Sequence, residues 1–179
     1  MPLPNNQNYT TDYIYSLPEG SRAELIDGQI YNMAPPSTMH QKISNYLSTE
    51  INLYIRSHNG SCDVFSAPFA VFLDKDNKNY VEPDINVICD KSKLTDKGCM
   101  GAPDWIIEIV SNSSRRMDYL VKLFKYRTAG VREYWIVDPD KHNITAYYFE
   151  KDDVNVYSFN DSVPVSVYPG FEISFKQLL

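Results

Sequence analysis

The run Trp105-Ile-Ile-Glu-Ile-Val110 places the hardest constraint on this 179-residue chain. It is nearly continuous apolar sequence, the pattern of a β-strand covered on both faces, as in the middle of an α/β sheet. In its centre stands Glu108. A buried carboxylate without a partner is costly, so the fold has to bring Glu108 a cation, either a side chain or a metal ion. The alternative is a half-exposed strand with the glutamate facing outward.

The surrounding pattern is mixed α and β. Residues 1–20 form a polar, Pro-spotted lead-in with one helical turn near Thr11–Ser16. Ala23–Ala34 reads as a hairpin turning at Asp27-Gly28 and stopped by Pro35-Pro36. Ser37 is a natural N-cap for a helix over Thr38–Ser57, where Ile43, Tyr46, Leu47, Ile51, Tyr54 and Ile55 recur at helical spacing; Asn59-Gly60 ends it. Cys62–Leu73 is expected as a strand bent at Pro68, Asp84–Cys89 as a short buried strand, and Asp90–Gly101 as a charged loop. Ser111–Ser114 can cap a helix over Arg115–Ala129 with an apolar stripe of Met117, Leu120, Val121 and Phe124. Glu133–Val137 is a further buried strand. Short β runs at Ile144–Phe149, Val154–Phe159 and Val163–Val167 make residues 140–179 a β-rich extension. A single domain over 1–179 is the expected organisation.

Composition narrows the function. A net charge of −6 argues mildly against a dedicated nucleic-acid binder, although a carboxylate-lined metal site contributes negative charge of its own. Cys62, Cys89 and Cys99 are odd in number and irregular in spacing, so reduced, buried thiols are expected rather than a disulfide framework or a zinc site. His40, His58 and His142 form no close pair. No apolar run approaches the roughly 20 residues of a membrane span, and the first 20 residues lack a secretory pattern, so a cytoplasmic protein is expected.

Four charged positions interrupt apolar context: Glu24, Asp84, Glu108 and Lys122. Asp84 opens its strand after Pro83 and could be a plain turn residue. Twenty-four residues separate it from Glu108, room for a strand, a loop and a neighbouring strand that would project both carboxylates at one point. Such a pair suits Mg²⁺ or Mn²⁺. Lys122 stands four residues after Asp118, which fits a surface salt bridge or a lysine reaching over the carboxylates.

The segments Glu24-Leu-Ile-Asp-Gly28, Met33-Ala-Pro-Pro36, His40-Gln41, Glu82-Pro-Asp84, Glu108-Ile-Val-Ser111, Lys122 with Tyr126, and Ala129-Gly-Val-Arg-Glu-Tyr-Trp-Ile-Val-Asp-Pro139 occur in this order over roughly residues 20–140. Together they resemble the Uma-two branch of the PD-(D/E)XK restriction-endonuclease-like superfamily. The resemblance implies an αβββαβ core with a mixed central sheet. It implies Asp84 and Glu108 as Mg²⁺ or Mn²⁺ ligands, Lys122 as the catalytic lysine, Glu24 as an accessory acid and His40 as a site-lining residue. The superfamily's lysine usually stands two residues after the strand carboxylate, where this chain has Val110; the branch resembles a version with the lysine moved to the next helix, and Lys125 is a rival for the role.

The same resemblance implies metal-assisted hydrolysis of a DNA phosphodiester, with Lys122 positioning water. A homodimer would suit cutting both strands of a duplex. The competing readings are a non-catalytic binding or assembly protein on a nuclease fold, and a hydrolase of a smaller phosphate ester. A basic groove would favour long nucleic acid, a closed pocket a nucleotide, and a Lys122 turned away the binding protein. Arg115-Arg116 reads as a solvated basic pair, with phosphate contact the alternative, and Tyr147, Tyr148 and Tyr157 read as residues of the core or the β-rich flap, with a base-stacking surface or a subunit interface as alternatives.

Overall fold

The computed structural model describes residues 8–111 and 114–179. The chain opens with α1 (Thr11–Ser16), the hairpin β1 (Ala23–Ile26) and β2 (Gln29–Asn32), and the long helix α2 (Thr38–Ser57). Strands β3 (Asp63–Ser66), β4 (Val71–Phe72), β5 (Tyr80–Val81) and β6 (Ile85–Ile88) come next, then the small hairpin β7 (Leu94–Thr95) and β8 (Gly98–Met100) and strand β9 (Trp105–Ile109). A π-helical turn, Met117–Lys122, runs without a break into α3 (Leu123–Ala129). Strands β10 (Glu133–Asp138), β11 (Asn143–Tyr148), β12 (Asp153–Ser158), β13 (Ser162–Pro164) and β14 (Glu172–Ser174) complete the chain.

The central sheet has the order β12-β11-β10-β9-β6-β3. Its β9–β10 pair is parallel, with Glu108 beside Ile136, and the other ladders are antiparallel. The α3 crossover lies between the two parallel strands, as that connection requires. This is a mixed α/β core with a mixed central sheet, as expected, followed by a β-rich C-terminal extension. A second sheet, β2-β1-β5-β4-β8-β7, is packed against it.

Alternation along β9 divides the core. Trp105, Ile107 and Ile109 face one way, against Ile43, Leu47, Ile51 and Ile55 of α2 and against Val163, Phe171 and Ile173 of the C-terminal extension. Each such fully buried aliphatic side chain contributes about 1.5–3 kcal/mol relative to exposure. Ile106 and Val110 face the other way, with Val71 and Val81 of the second sheet and Tyr126 of α3. Glu108 shares that second face by the period of two. The β1–β2 turn places Asp27 and Gly28 at φ 51° and 73°, the left-handed pair that a two-residue hairpin needs. Ser37 caps α2 by accepting the His40 N–H at 3.2 Å.

Four expectations are revised. Cys62–Leu73 is not one strand: it splits into β3 and β4, which belong to different sheets, around the cis Ala67-Pro68 bond. Asp90–Gly101 is not a plain loop, because β7 and β8 pair across the Asp96-Lys97 turn. Cys62 and Cys89 form a disulfide. Asp63 stands opposite Ile88 in the β3–β6 ladder, so the two cysteines just beyond it oppose each other, a proximity that register creates and spacing along the chain conceals. Finally, the expected stripe on the second helix is rotated. Leu120 and Phe124 are exposed, whereas Asp118, Lys122 and Tyr126 are buried. Four-residue steps over-rotate in an α-helix of about 3.6 residues per turn and under-rotate in the wider π turn, so the two cancel and hold those three residues on one face. The expected capping segment Ser111–Ser114 lies partly outside the described residues, as does the start of the lead-in.

Candidate active site

Four separate segments converge at one end of the central sheet. Strand β1 contributes Glu24, the turn before β6 contributes Asp84, the middle of β9 contributes Glu108, and the π turn with α3 contributes Asp118, Lys122 and Tyr126. The first turn of α2 adds His40. Glu24, Glu108, Asp118 and Lys122 are each 5% exposed or less.

Lys122 is the hub. Its Nζ donates to Glu24 Oε1 at 2.9 Å and to Glu108 Oε1 at 3.0 Å, and stands 3.7 Å from Asp118 Oδ1. Tyr126 Oη donates to Glu108 Oε1 at 2.6 Å. Glu24 also accepts the Glu82 backbone N–H at 3.0 Å, which links the second sheet to the strand-leading turn. Asp84 Oδ2 accepts the Ile109 N–H at 2.7 Å and lies 3.0 Å from His40 Nε2. Its own N–H stands 3.4 Å from Glu108 Oε2. The side-chain partner that the buried Glu108 demands is therefore Lys122. The structure brings Glu24, Asp84, Glu108, Lys122 and His40 together, and holds Lys125 elsewhere, in an ion pair with Asp27.

The charges are strongly perturbed. Burial disfavours the Lys122 ammonium, but Glu108, Glu24 and Asp118 outweigh it and hold the lysine well above its ordinary range. A lysine so held is a permanent cation, suited to orienting a ligand and unsuited to accepting a proton. Burial pushes Glu108 well above the ordinary carboxylate range, with Lys122 opposing and Asp84, Asp118 and Glu24 adding to the rise. Burial likewise raises Asp118 to about 6 against the pull of Lys122. Burial lowers His40, yet its hydrogen bond and attraction to Asp84 leave it raised on balance.

The oxygen inventory bears on a metal ion. One oxygen of each central carboxylate is committed: Asp84 Oδ2 to Ile109 and His40, Glu108 Oε1 to Lys122 and Tyr126. Among the described residues Asp84 Oδ1 accepts no hydrogen bond, and Glu108 Oε2 has only the long contact from the Asp84 N–H. Carboxylate oxygens of this kind are the donor type taken by an ion such as Mg²⁺, which is commonly held by one or two carboxylates and completes its shell with water and phosphate. No group of three or more His, Cys, Asp or Glu that could hold a metal ion by itself occurs among the described residues, so an ion here would take most of its shell from water and substrate.

The cluster opens into a cleft of about 880 Å³ that runs from β2 and the Pro35-Pro36 corner, past the first turns of α2, to Ser111 and Ser114. It is not the basic groove that would favour long nucleic acid, since its described charged lining is mostly acidic. Arg115 is tied to Asp138 and stands 3.5 Å from Asp140, while Arg116 is exposed. Tyr147, Tyr148 and Tyr157 are absent from its described lining; Tyr148 is buried with Oη on the Pro164 carbonyl, and Tyr157 packs on the core.

Asp118 and Tyr126 are the members that sequence reasoning undervalues. Asp118 is visible as the residue four before Lys122, but there the pair also fits a solvated helix face. Tyr126 is visible only as a companion of Lys122 in the family pattern.

Residues 10–176 match the family model Uma2, described as "Putative restriction endonuclease". The chain belongs to the Uma2 family. Two Synechocystis relatives of this Uma2 chain are uncharacterized proteins. One, sll1609, is 27% identical over 129 residues, which cover 70% of this chain and 71% of that protein. The other, slr1290, is 27% identical over 130 residues, covering 72% and 67%. A crystal structure from Anabaena variabilis, described as "a putative nuclease belonging to DUF820", superposes with a TM-score of 0.77 at 23% identity, covering 94% of the Uma2 chain and 96% of its own. No helix among the described residues is long and apolar enough to cross a membrane.

Proposed function

We propose that this Uma2 protein is a divalent-metal-dependent endonuclease acting on DNA phosphodiester bonds. The observation that carries the reading is Lys122 seated on Glu108 and Glu24, beside Asp84 and facing an accessible cleft. An assembly protein that merely inherited the scaffold has no need to keep a buried lysine trained on that pair. The family description and the nuclease title of the Anabaena structure point the same way.

Asp84 and Glu108 would hold a Mg²⁺ or Mn²⁺ ion through their uncommitted oxygens. When bound, such an ion supplies Lewis acidity towards a phosphoryl oxygen and a more acidic water at neutral pH. The chain's own residues do the rest. The Lys122 ammonium, fixed on two carboxylates, orients the attacking water by hydrogen bonding and offers positive charge to the phosphate as negative charge builds there. Tyr126 and Glu24 fix the geometry of Glu108 and Lys122. The Ile109 N–H and His40 fix Asp84, so that the two central carboxylates are held before substrate arrives.

Cleavage of plasmid and of single-stranded DNA with Mg²⁺ and with Mn²⁺ tests the reading, comparing wild type with Asp84→Asn, Glu108→Gln and Lys122→Ala. Metal-dependent cleavage lost in the variants that remain folded is the expected result. Folded wild-type protein that cuts neither duplex nor single-stranded DNA with either ion would remove it.

A further inference from the structure

The cleft has an acidic floor and an apolar wall. Among its described lining residues the lysines and arginines are Arg22 and Lys122, and both are engaged, Arg22 with Glu82 at 2.7 Å and Lys122 with Glu24 and Glu108. Against them stand Glu24, Asp84, Glu108, Asp118 and Asp140. A duplex carries about one charge per 1.7 Å of axis, and its binders meet that charge with free Lys and Arg. This cleft has little to offer it.

The wall is different. Tyr31 and Met39 are 37% and 43% exposed and line the cleft together with Met33, Pro35 and Pro36. In the β1–β2 ladder Tyr31 lies directly opposite Glu24. Side chains opposed across an antiparallel pair stand on one face with Cβ atoms about 4.5–5.5 Å apart. An exposed aromatic ring therefore neighbours the carboxylate that holds Lys122. On the other side Met39 precedes His40, the partner of Asp84.

Building on the nuclease reading above, we infer that the substrate presented to this site is an unpaired nucleotide strand, one of whose bases stacks on Tyr31 in the cleft that Met39 also lines. The neighbouring phosphate then meets the carboxylates. Every base has a stacking face, so such a wall grips a strand without reading its sequence and without a row of cations. A paired base keeps both faces inside its own helix and gains nothing from the wall.

Fluorescence anisotropy with a labelled oligodeoxynucleotide, single-stranded or annealed to its complement, tests this in Ca²⁺ buffer. The proteins are wild type, Tyr31→Ala, Tyr31→Phe and, as a control away from the cleft, Tyr15→Ala. The single strand should bind more tightly than the duplex. Tyr31→Ala should weaken single-strand binding by about ten-fold with an unchanged melting temperature, Tyr31→Phe should restore it, and Tyr15→Ala should match wild type. A duplex bound as tightly as the single strand, or a Tyr31→Ala that binds like wild type, overturns the stacking assignment; the nuclease reading would then still be decided separately by metal-dependent DNA cleavage. If neither form is bound and neither is cut, the nuclease reading falls and this inference falls with it.

Discussion

Replacing Lys122 with methionine isolates the contribution of its charge, because the stem is nearly isosteric and the site is buried. The substitution leaves Glu24, Glu108 and Asp118 facing one another without a cation, with Lys122 and Glu108 side chains only 6% and 5% exposed. Removing one partner of a buried ion pair costs about 3–5 kcal/mol, since the remaining charge has lost both water and its counterion. For 179 residues at about 2.1 cal/mol/K each, that loss lowers Tm by roughly 8–13 °C. Lys125→Met is the matched control. Its ion pair with Asp27 is largely exposed on the aspartate side, and such pairs are worth at most about 1 kcal/mol, or less than about 3 °C. Calorimetry of wild type and both variants in EDTA, so that no divalent ion substitutes for the ammonium, reads the two shifts directly. Equal shifts, or a Lys122→Met melting within about 3 °C of wild type, would refute the claim that this lysine neutralises the buried carboxylates.

Neighbouring contacts give further expected outcomes. Tyr126→Phe removes the 2.6 Å hydrogen bond to Glu108 and should cost about 1.5–3 kcal/mol in urea unfolding; an unchanged midpoint would show that the hydroxyl contributes nothing to stability. His40→Ala should leave the melting temperature near wild type while lowering cleavage by about 10- to 100-fold, the loss expected if His40 orients a carboxylate that holds the proposed ion; wild-type rates would exclude that role. Glu133 gives a pH signature. Burial pushes its carboxyl up to about 7, against the N–H groups of Val167, Trp135 and Ser166 that it accepts from. Its folded value exceeds its unfolded one, so the contribution is fully present below the unfolded pKa and disappears as pH rises through about 7. Wild-type stability should therefore fall relative to Glu133→Gln between about pH 5 and pH 8; parallel profiles would contradict the assignment.

Local patterns make much of this structure legible. The Asp27-Gly28 turn, the Ser37 cap and the period of Ile43, Leu47, Ile51 and Ile55 depend on residues near one another in sequence, and each element stands where those residues place it. Glu108 announces itself because a carboxylate in a strand buried on both faces demands a partner. What stays hidden depends on distant parts of the chain. The disulfide comes from the register of two strands. Glu133 looks like the polar start of β10, yet it is buried and pins residues 166 and 167 of the C-terminal extension. The phase of the second helix is misleading because a π turn has no local signature, and Leu120 and Phe124 supply a convincing but outward-facing stripe. The position of Lys122 over the carboxylates depends on that phase, so periodicity alone favours the wrong face.

The cluster is drawn from segments spread along the chain, and that sets a timetable during synthesis. A ribosome releases Glu24, Asp84 and Glu108 before Lys122, so for part of translation the acids have emerged and their cation has not. Strand β10, which lies beside β9 in the finished sheet, and β11 come later still. A chain truncated before Met117 holds Glu24 and Glu108 without the lysine that pairs them, and burying the two acids together would be opposed by their own repulsion. Completion of the centre is thereby coupled to synthesis of the helix that follows β9.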